Sequence, residues 1–122
     1  MSVLGELQPN KVFKYFEEIC SIPHGSRNLQ QISDYLVDFA KAHELKYRQD
    51  EDLNVIIWKD GSKGYEASEP VILQGHMDMV AVKEADCDKD MEKEGLDLEI
   101  NGDYISAKGT SLGGDDGIAV AY

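Results

Sequence analysis

Residues 71–82 read VILQGHMDMVAV. Pro70 opens a short apolar run, Val71 to Leu73, of the kind that forms a buried strand in a sheet covered on both faces. His76 and Asp78 stand at its C-terminal end. Side chains two residues apart on a strand project from one face, so the imidazole and the carboxylate leave it together. Open α/β sheets bind ligands at that end of their strands. An imidazole can hold a metal through one nitrogen while a carboxylate orients the ring. Taken alone, a His-x-Asp pair reads as a hydrogen-bonded histidine at a strand end.

Upstream, the pattern predicts two helices and two strands. Val12, Phe13, Phe16, Ile19 and Cys20 recur at helical spacing after Pro9-Asn10, and Pro23 stops the run. Asn28 suits an N-cap, with Gln31 where it reaches back in a capping box. Ile32, Tyr35, Leu36, Phe39 and Ala40 then form one apolar stripe reaching Ala42. Lys46–Gln49 fits a short strand. Leu53–Lys59 is β-branched, aromatic and nearly continuous, which fits a buried strand with Trp58 in the core. Residues 60–69 form a polar loop.

Downstream, Lys83–Glu94 is a charged surface excursion. Leu96, Leu98 and Ile100 alternate with acids, Asn101-Gly102 signals a hairpin, and Asp103–Lys108 is the return strand. A glycine-dense turn leads into a helix starting at Ile118. The fold class is therefore α/β, a partial three-layer α/β/α sandwich with Val55–Trp58 and Val71–Gln74 central. The sandwich looks truncated after Tyr122. A truncated sheet leaves apolar surface and a strand edge uncovered, so self-association into a homo-oligomer, or poor solubility, is expected.

Composition narrows the function. The 122 residues suffice for one domain with a core. The formal charge of -12 repels phosphate backbones and anionic lipid, so neither nucleic acid nor membrane is an expected partner. It is compatible with holding cations. No run approaches the roughly 18 apolar residues of a membrane span, and the N-terminus lacks the pattern of a signal peptide. Cys20 and Cys87 read as free thiols of a cytoplasmic protein.

Two further clusters invite chemistry. Asp115-Asp116-Gly117 follows Gly113-Gly114. Adjacent carboxylates repel each other unless a cation or donors lie between them, although Asp near a helix start also serves as a plain cap. The spacing of Gly109 and Gly114 mimics a phosphate loop, but Asp115 stands where that loop needs lysine. Asp86, Asp88, Asp90, Glu92 and Asp97 fall at the ligand positions of a calcium-binding EF-hand loop. Met91 occupies the position that needs glycine, and the flanks read as strand, so a solvated acidic loop is favoured. His24, after Pro23 near the end of the first helix, reads as a loop histidine of no special role, the alternative being one that approaches the active site, and His43 is assigned no chemistry.

Together, LQGHMDMV (residues 73–80) and AKGTSLGGDDGIAVA (residues 107–121) resemble the M20-type co-catalytic zinc peptidases. The likeness is closest to the aminoacyl-histidine dipeptidase (Xaa-His dipeptidase, peptidase D) branch. The order of elements and the ICSIPHGS stretch after the first helix fit it too. The resemblance implies that His76 is a zinc ligand. It places Asp78 among the catalytic residues, as the carboxylate that clamps His76 and tunes its metal. It makes Asp115 the carboxylate bridging two zinc ions, joined to Asp116 by a cis peptide bond. It implies that residues 1–122 are the N-terminal portion of the catalytic domain. The general base, the remaining ligands and the lid domain would lie beyond Tyr122. The parent protein would then hydrolyse dipeptides, preferentially Xaa-His, in the cytoplasm, through a water activated by two zinc ions, with cobalt or manganese as substitutes. The 122-residue piece alone would be inactive. The alternatives are another M20-type hydrolase (tripeptidase, carboxypeptidase or deacetylase) and an acidic calcium-binding module built on Asp86–Asp97.

Overall fold

A computed structural model describes all of residues 1–122. In chain order the elements are α1 (Asn10–Cys20), α2 (Gln30–Ala42), β1 (Lys46–Gln49), β2 (Val55–Trp58), β3 (Leu98–Asn101), β4 (Tyr104–Ala107) and α3 (Gly114–Ala121). The α/β class follows directly. The chain divides into two units, residues 1–32 with 75–122, and residues 33–74.

In the first unit, α1 forms where the apolar spacing placed it and buries Phe16, Ile19 and Cys20. Glu17 ties the N-terminal segment to this helix. Its carboxylate accepts hydrogen bonds from Ser2 Oγ (2.6 Å) and the amides of Val3 (2.6 Å) and Leu4 (3.3 Å). Leu4 is thereby held in the core, fully buried. α3 closes on α1 at Gly117, where a Cβ would meet Phe16 Cε2 at 3.3 Å and Ile19 Cγ2 at 3.8 Å. β3 and β4 pair antiparallel, with Leu98 opposite Ala107 and both buried. The turn of this hairpin falls one residue later than Asn101-Gly102. Asn101 pairs with Tyr104, so Gly102-Asp103 is the loop, and Gly102 takes the first loop position at φ +61.

The second unit holds α2 from Ser33 onward. That helix ends on a left-handed Glu44 (φ 54), with the Leu45 N–H donating to the Ala40 carbonyl at 2.9 Å. β1 and β2 form an antiparallel hairpin running from Lys46↔Trp58 to Gln49↔Val55. Asp50 shapes its turn by accepting from the amides of Asp52 (3.0 Å) and Asn54 (2.8 Å). Ser33, fully buried, donates to the Leu53 carbonyl at 2.7 Å and accepts from Gln49 Nε2 at 2.8 Å, fastening the helix to the hairpin.

Three expectations are corrected. Val71–Gln74 forms no ladder, and Val71, Ile72 and Leu73 are 82%, 88% and 91% exposed. β2 is half-buried, with alternate residues turned outward, and Trp58 is not core: Lys46 Nζ lies 5.2 Å over its ring. Asn28 stands two residues before α2 rather than next to it, and its side-chain amide donates to the Glu92 carbonyl at 3.0 Å. The physical reason for the first two is the same. A strand is buried by ladder partners and by a layer on each face. Here β2 has β1 as its sheet neighbour, and the sheets are two separate two-stranded ribbons. No helix is long and apolar enough to cross a membrane.

Candidate functional site

Met79, 3% exposed, is where three chain segments meet in the first unit. Its N–H donates to the His24 carbonyl at 3.0 Å, and its carbonyl accepts the Ser26 N–H at 3.0 Å. Gly25 bridges parallel to it. A Cβ on Gly25 would lie 2.8 Å from Ala81 Cβ, so only glycine lets the loop after α1 run this close. From the other direction comes Gly113, left-handed at φ +72, where a Cβ would lie 3.0 Å from Met79 Cβ and Sδ. Glycine is needed there twice over, for the backbone and for the contact.

This convergence gathers the candidate residues. His76 Nε2 lies 2.9 Å from Asp115 Oδ1. His76 Nδ1 lies 3.0 Å from Asp78 Oδ1 and 3.0 Å from the Asp78 carbonyl. The His76 N–H donates to Asp116 Oδ2 at 3.3 Å. Asp115 departs from helical geometry (φ -91, ψ 105), and its peptide bond to Asp116 is cis. Ser26 Oγ donates to Asp78 Oδ2 at 2.6 Å.

The electrostatics follow from these partners. Nδ1 faces only acceptors, so it carries a proton. Nε2 faces the Asp115 carboxylate. The hydrogen bond to Asp115 does most to raise the His76 pKa, and Asp78 adds to it. The Ser26 hydroxyl, then His76, hold the Asp78 carboxyl below its ordinary value against the opposing effect of burial. Three carboxylates around one imidazole leave the spot short of positive charge. It is also open: the Asp115 side chain is 94% exposed.

The three predicted site residues, His76, Asp78 and Asp115, thus come together, and Asp116 joins them. The reading of the sequence missed Ser26. A serine in a loop, 52 residues before Asp78, carries no periodic signal, and only its place in ICSIPHGS pointed to it. His24 is buried and donates from Nδ1 to the Ile22 carbonyl at 2.6 Å. His43 stacks on Phe39 in the second unit. Among the acids of residues 86–97, Asp90 and Asp97 are bonded within the segment. Asp97 pairs with Lys89 at 3.0 Å, and Asp90 accepts the Glu92 N–H at 3.0 Å. Nowhere do three His, Cys, Asp or Glu side chains converge as a metal site. His76 and Asp115 supply two donors, fewer than the three or four protein ligands of a zinc site. Cys20 and Cys87 are both free.

No protein-family model matches the chain. The cytosol non-specific dipeptidase of Escherichia coli (strain K12) is 39% identical over 121 residues, covering 99% of this chain and 25% of that protein. The crystal structure of the aminoacylhistidine dipeptidase from Vibrio alginolyticus superposes with a TM-score of 0.93 at 38% identity, covering 98% of this chain and 24% of that one. The likeness to aminoacyl-histidine dipeptidase read from the motifs therefore extends over nearly the whole chain, which spans about a quarter of the length of these relatives.

Proposed function

We propose that this chain is the N-terminal portion, residues 1–122, of the catalytic domain of an M20-type zinc dipeptidase that works in the cytoplasm. The observation that carries this reading is the convergence of His76 Nε2 and Asp115 Oδ1, 2.9 Å apart, on a ring whose other nitrogen Asp78 already holds. The donor set suits zinc. Zinc takes imidazole nitrogen and carboxylate oxygen at about 2.0–2.2 Å, so two such ligands of one tetrahedral ion stand about 3.3 Å apart. Reaching that separation takes a few tenths of an ångström of movement between two exposed side chains.

Each residue has a task in this reading. Asp78 keeps the proton on Nδ1, which leaves the Nε2 lone pair for the metal. Asp115, turned out of the helix with Oδ1 on the His76 side, would be the carboxylate shared between the metals. Asp116 anchors the His76 backbone. When bound, the metals (zinc, or cobalt or manganese in its place) would polarise the scissile carbonyl and bring the pKa of a water toward neutrality. The dipeptide substrate is carried over from what both relatives are called, and the preference for Xaa-His from the name of the Vibrio alginolyticus one, the Escherichia coli one being called non-specific. The rest of each metal shell and the general base would come from the remaining length of such an enzyme, so residues 1–122 alone would not turn over substrate.

Titration calorimetry with zinc tests the site. Binding by the 122-residue chain is expected to be lost in His76→Ala and in Asp115→Ala and kept in Asp88→Ala. Zinc affinity that survives both of the first two substitutions would sink the reading. In the same preparations, Xaa-His dipeptides with added zinc or cobalt are expected to remain uncleaved.

A further inference from the structure

We infer that Ser26 is a positioning residue of this site: its hydroxyl fixes the Asp78 carboxylate so that His76 presents Nε2 toward Asp115. The inference rests on the metal-site reading above and extends it one step outward.

The geometry gives the hydroxyl a single task. Ser26 Oγ has one proton and two acceptors in view, Asp78 Oδ2 at 2.6 Å and the Met79 carbonyl at 3.4 Å. The proton goes to the short contact with the charged acceptor. Asp78 is thereby held by both oxygens, Oδ2 on Ser26 and Oδ1 on His76 Nδ1. Its side chain is 36% exposed, so without the serine only the His76 Nδ1 contact would restrain its terminal torsion. The His76 ring would then keep only the Asp78 carbonyl as a fixed partner for Nδ1. The carbonyl also raises the basicity of the ring, but being neutral it does not offset cationic charge as the carboxylate does.

The mounting of Ser26 is separate from its hydroxyl. The Ser26 N–H on the Met79 carbonyl, the Met79 N–H on the His24 carbonyl and the Asn28 N–H on the Gly25 carbonyl (2.8 Å) are all main-chain bonds. The close pass of Gly25 over Ala81 is a backbone feature as well. Removing Oγ leaves this frame standing, so function can be separated from folding.

The test is a double-mutant cycle on zinc affinity in the 122-residue chain, with Ser26→Ala, Asp78→Ala and the pair. Removing an outer partner of a metal-bound histidine weakens metal binding about 10–100-fold. Ser26 acts one step further out, so Ser26→Ala is expected to weaken zinc about three- to tenfold and Ser26→Thr to restore it. In the Asp78→Ala background the same change is expected to cost less than about twofold. A second readout needs no metal. The His76 Nδ1–H cross-peak in ¹H–¹⁵N spectra is expected to broaden by faster exchange in Ser26→Ala and to stay sharp in Ser26→Thr. Wild-type affinity together with a sharp cross-peak in Ser26→Ala overturns the inference and leaves the metal site standing. An equal loss with and without Asp78 also overturns it, because the serine would then act by another route. Zinc binding indifferent to His76→Ala overturns both.

Discussion

Replacing Gly113 with alanine tests the packing that brings Asp115 to His76. Two costs act at this position. The left-handed backbone, φ +72, costs an L-residue about 1–2 kcal/mol. The new Cβ would also stand 3.0 Å from both Cβ and Sδ of Met79, whose own backbone is bonded to His24 and Ser26 and cannot retreat freely. Overpacking of this kind costs about 1–3 kcal/mol. Against the sum stands about 0.4–1 kcal/mol gained by stiffening the unfolded chain. The expected net loss is about 2–4 kcal/mol. Gly102→Ala supplies the control, with a similar φ of +61 and no atom within 4 Å of the added methyl. It carries the backbone cost alone, a net of about 1 kcal/mol. The assay is urea unfolding of the two variants and the parent. With a slope of about 2 kcal/mol/M, the extra 1–3 kcal/mol separates the two midpoints by about 0.5–1.5 M. Coincident midpoints would show that Met79 does not press on Gly113, and the account of how α3 is positioned would fail.

Three more outcomes are expected. Burial holds the His24 pKa below its ordinary value, although the Ile22 carbonyl and Asp78 pull it the other way. A histidine depressed in the fold contributes stability that is complete above its unfolded value of about 6.5 and is lost as the pH falls through the folded value. The urea midpoint should therefore drop between pH 7.5 and 5 by more in the parent than in His24→Gln, and equal drops would remove His24 as the cause. Burial, reinforced by Glu17, pushes the Cys20 thiol up to about 12, so in the folded chain iodoacetamide should label the half-buried Cys87 first and Cys20 only on unfolding, as read by peptide mass spectrometry. Finally, Val71, Ile72 and Leu73 present bare apolar side chains, so light scattering should show concentration-dependent association that Ile72→Lys reduces; a monodisperse monomer at high concentration would count against it.

What was legible in the sequence was local. α1 and α2 announce themselves through apolar residues on one face, and the β3–β4 hairpin through alternation around a glycine turn. Even there the register slipped by one, because a turn is set by which residues pair across it and not by the most turn-prone dipeptide. The strand pattern at Val71–Leu73 was a statement about surroundings. β-branched apolar runs are suited to burial, yet the ladder that buries them must come from elsewhere, and no strand of these 122 residues provides it. Trp58 failed as a core residue for the same reason. At the candidate site, His76, Asp78 and Asp115 were singled out by the resemblance that two short motifs carry together, and the fold brings the three side chains to one place. Ser26 was not, because a hydroxyl is common and its partner lies 52 residues away.

The residues that aim this site are mostly ones that do no chemistry. Met79 contributes its main chain to the loop after α1 and its side chain to the approach of Gly113. It adjoins Asp78 in sequence, so what fixes the Met79 main chain fixes the point from which the Asp78 side chain projects. Gly25 and Gly113 act by lacking a Cβ, one at 2.8 Å from Ala81 and the other at 3.0 Å from Met79. A sequence records such residues only as missing atoms, and a glycine needed for contact looks the same as one needed for a turn. The same logic explains why the pair of short motifs is informative when each alone is not. His-x-Asp and Gly-Gly-Asp-Asp-Gly meet only if a buried residue next to the first can receive a backbone with no side chain from the second. Met79 and Gly113 are those two residues, and His76 and Asp115 lie 2.9 Å apart beside their contact.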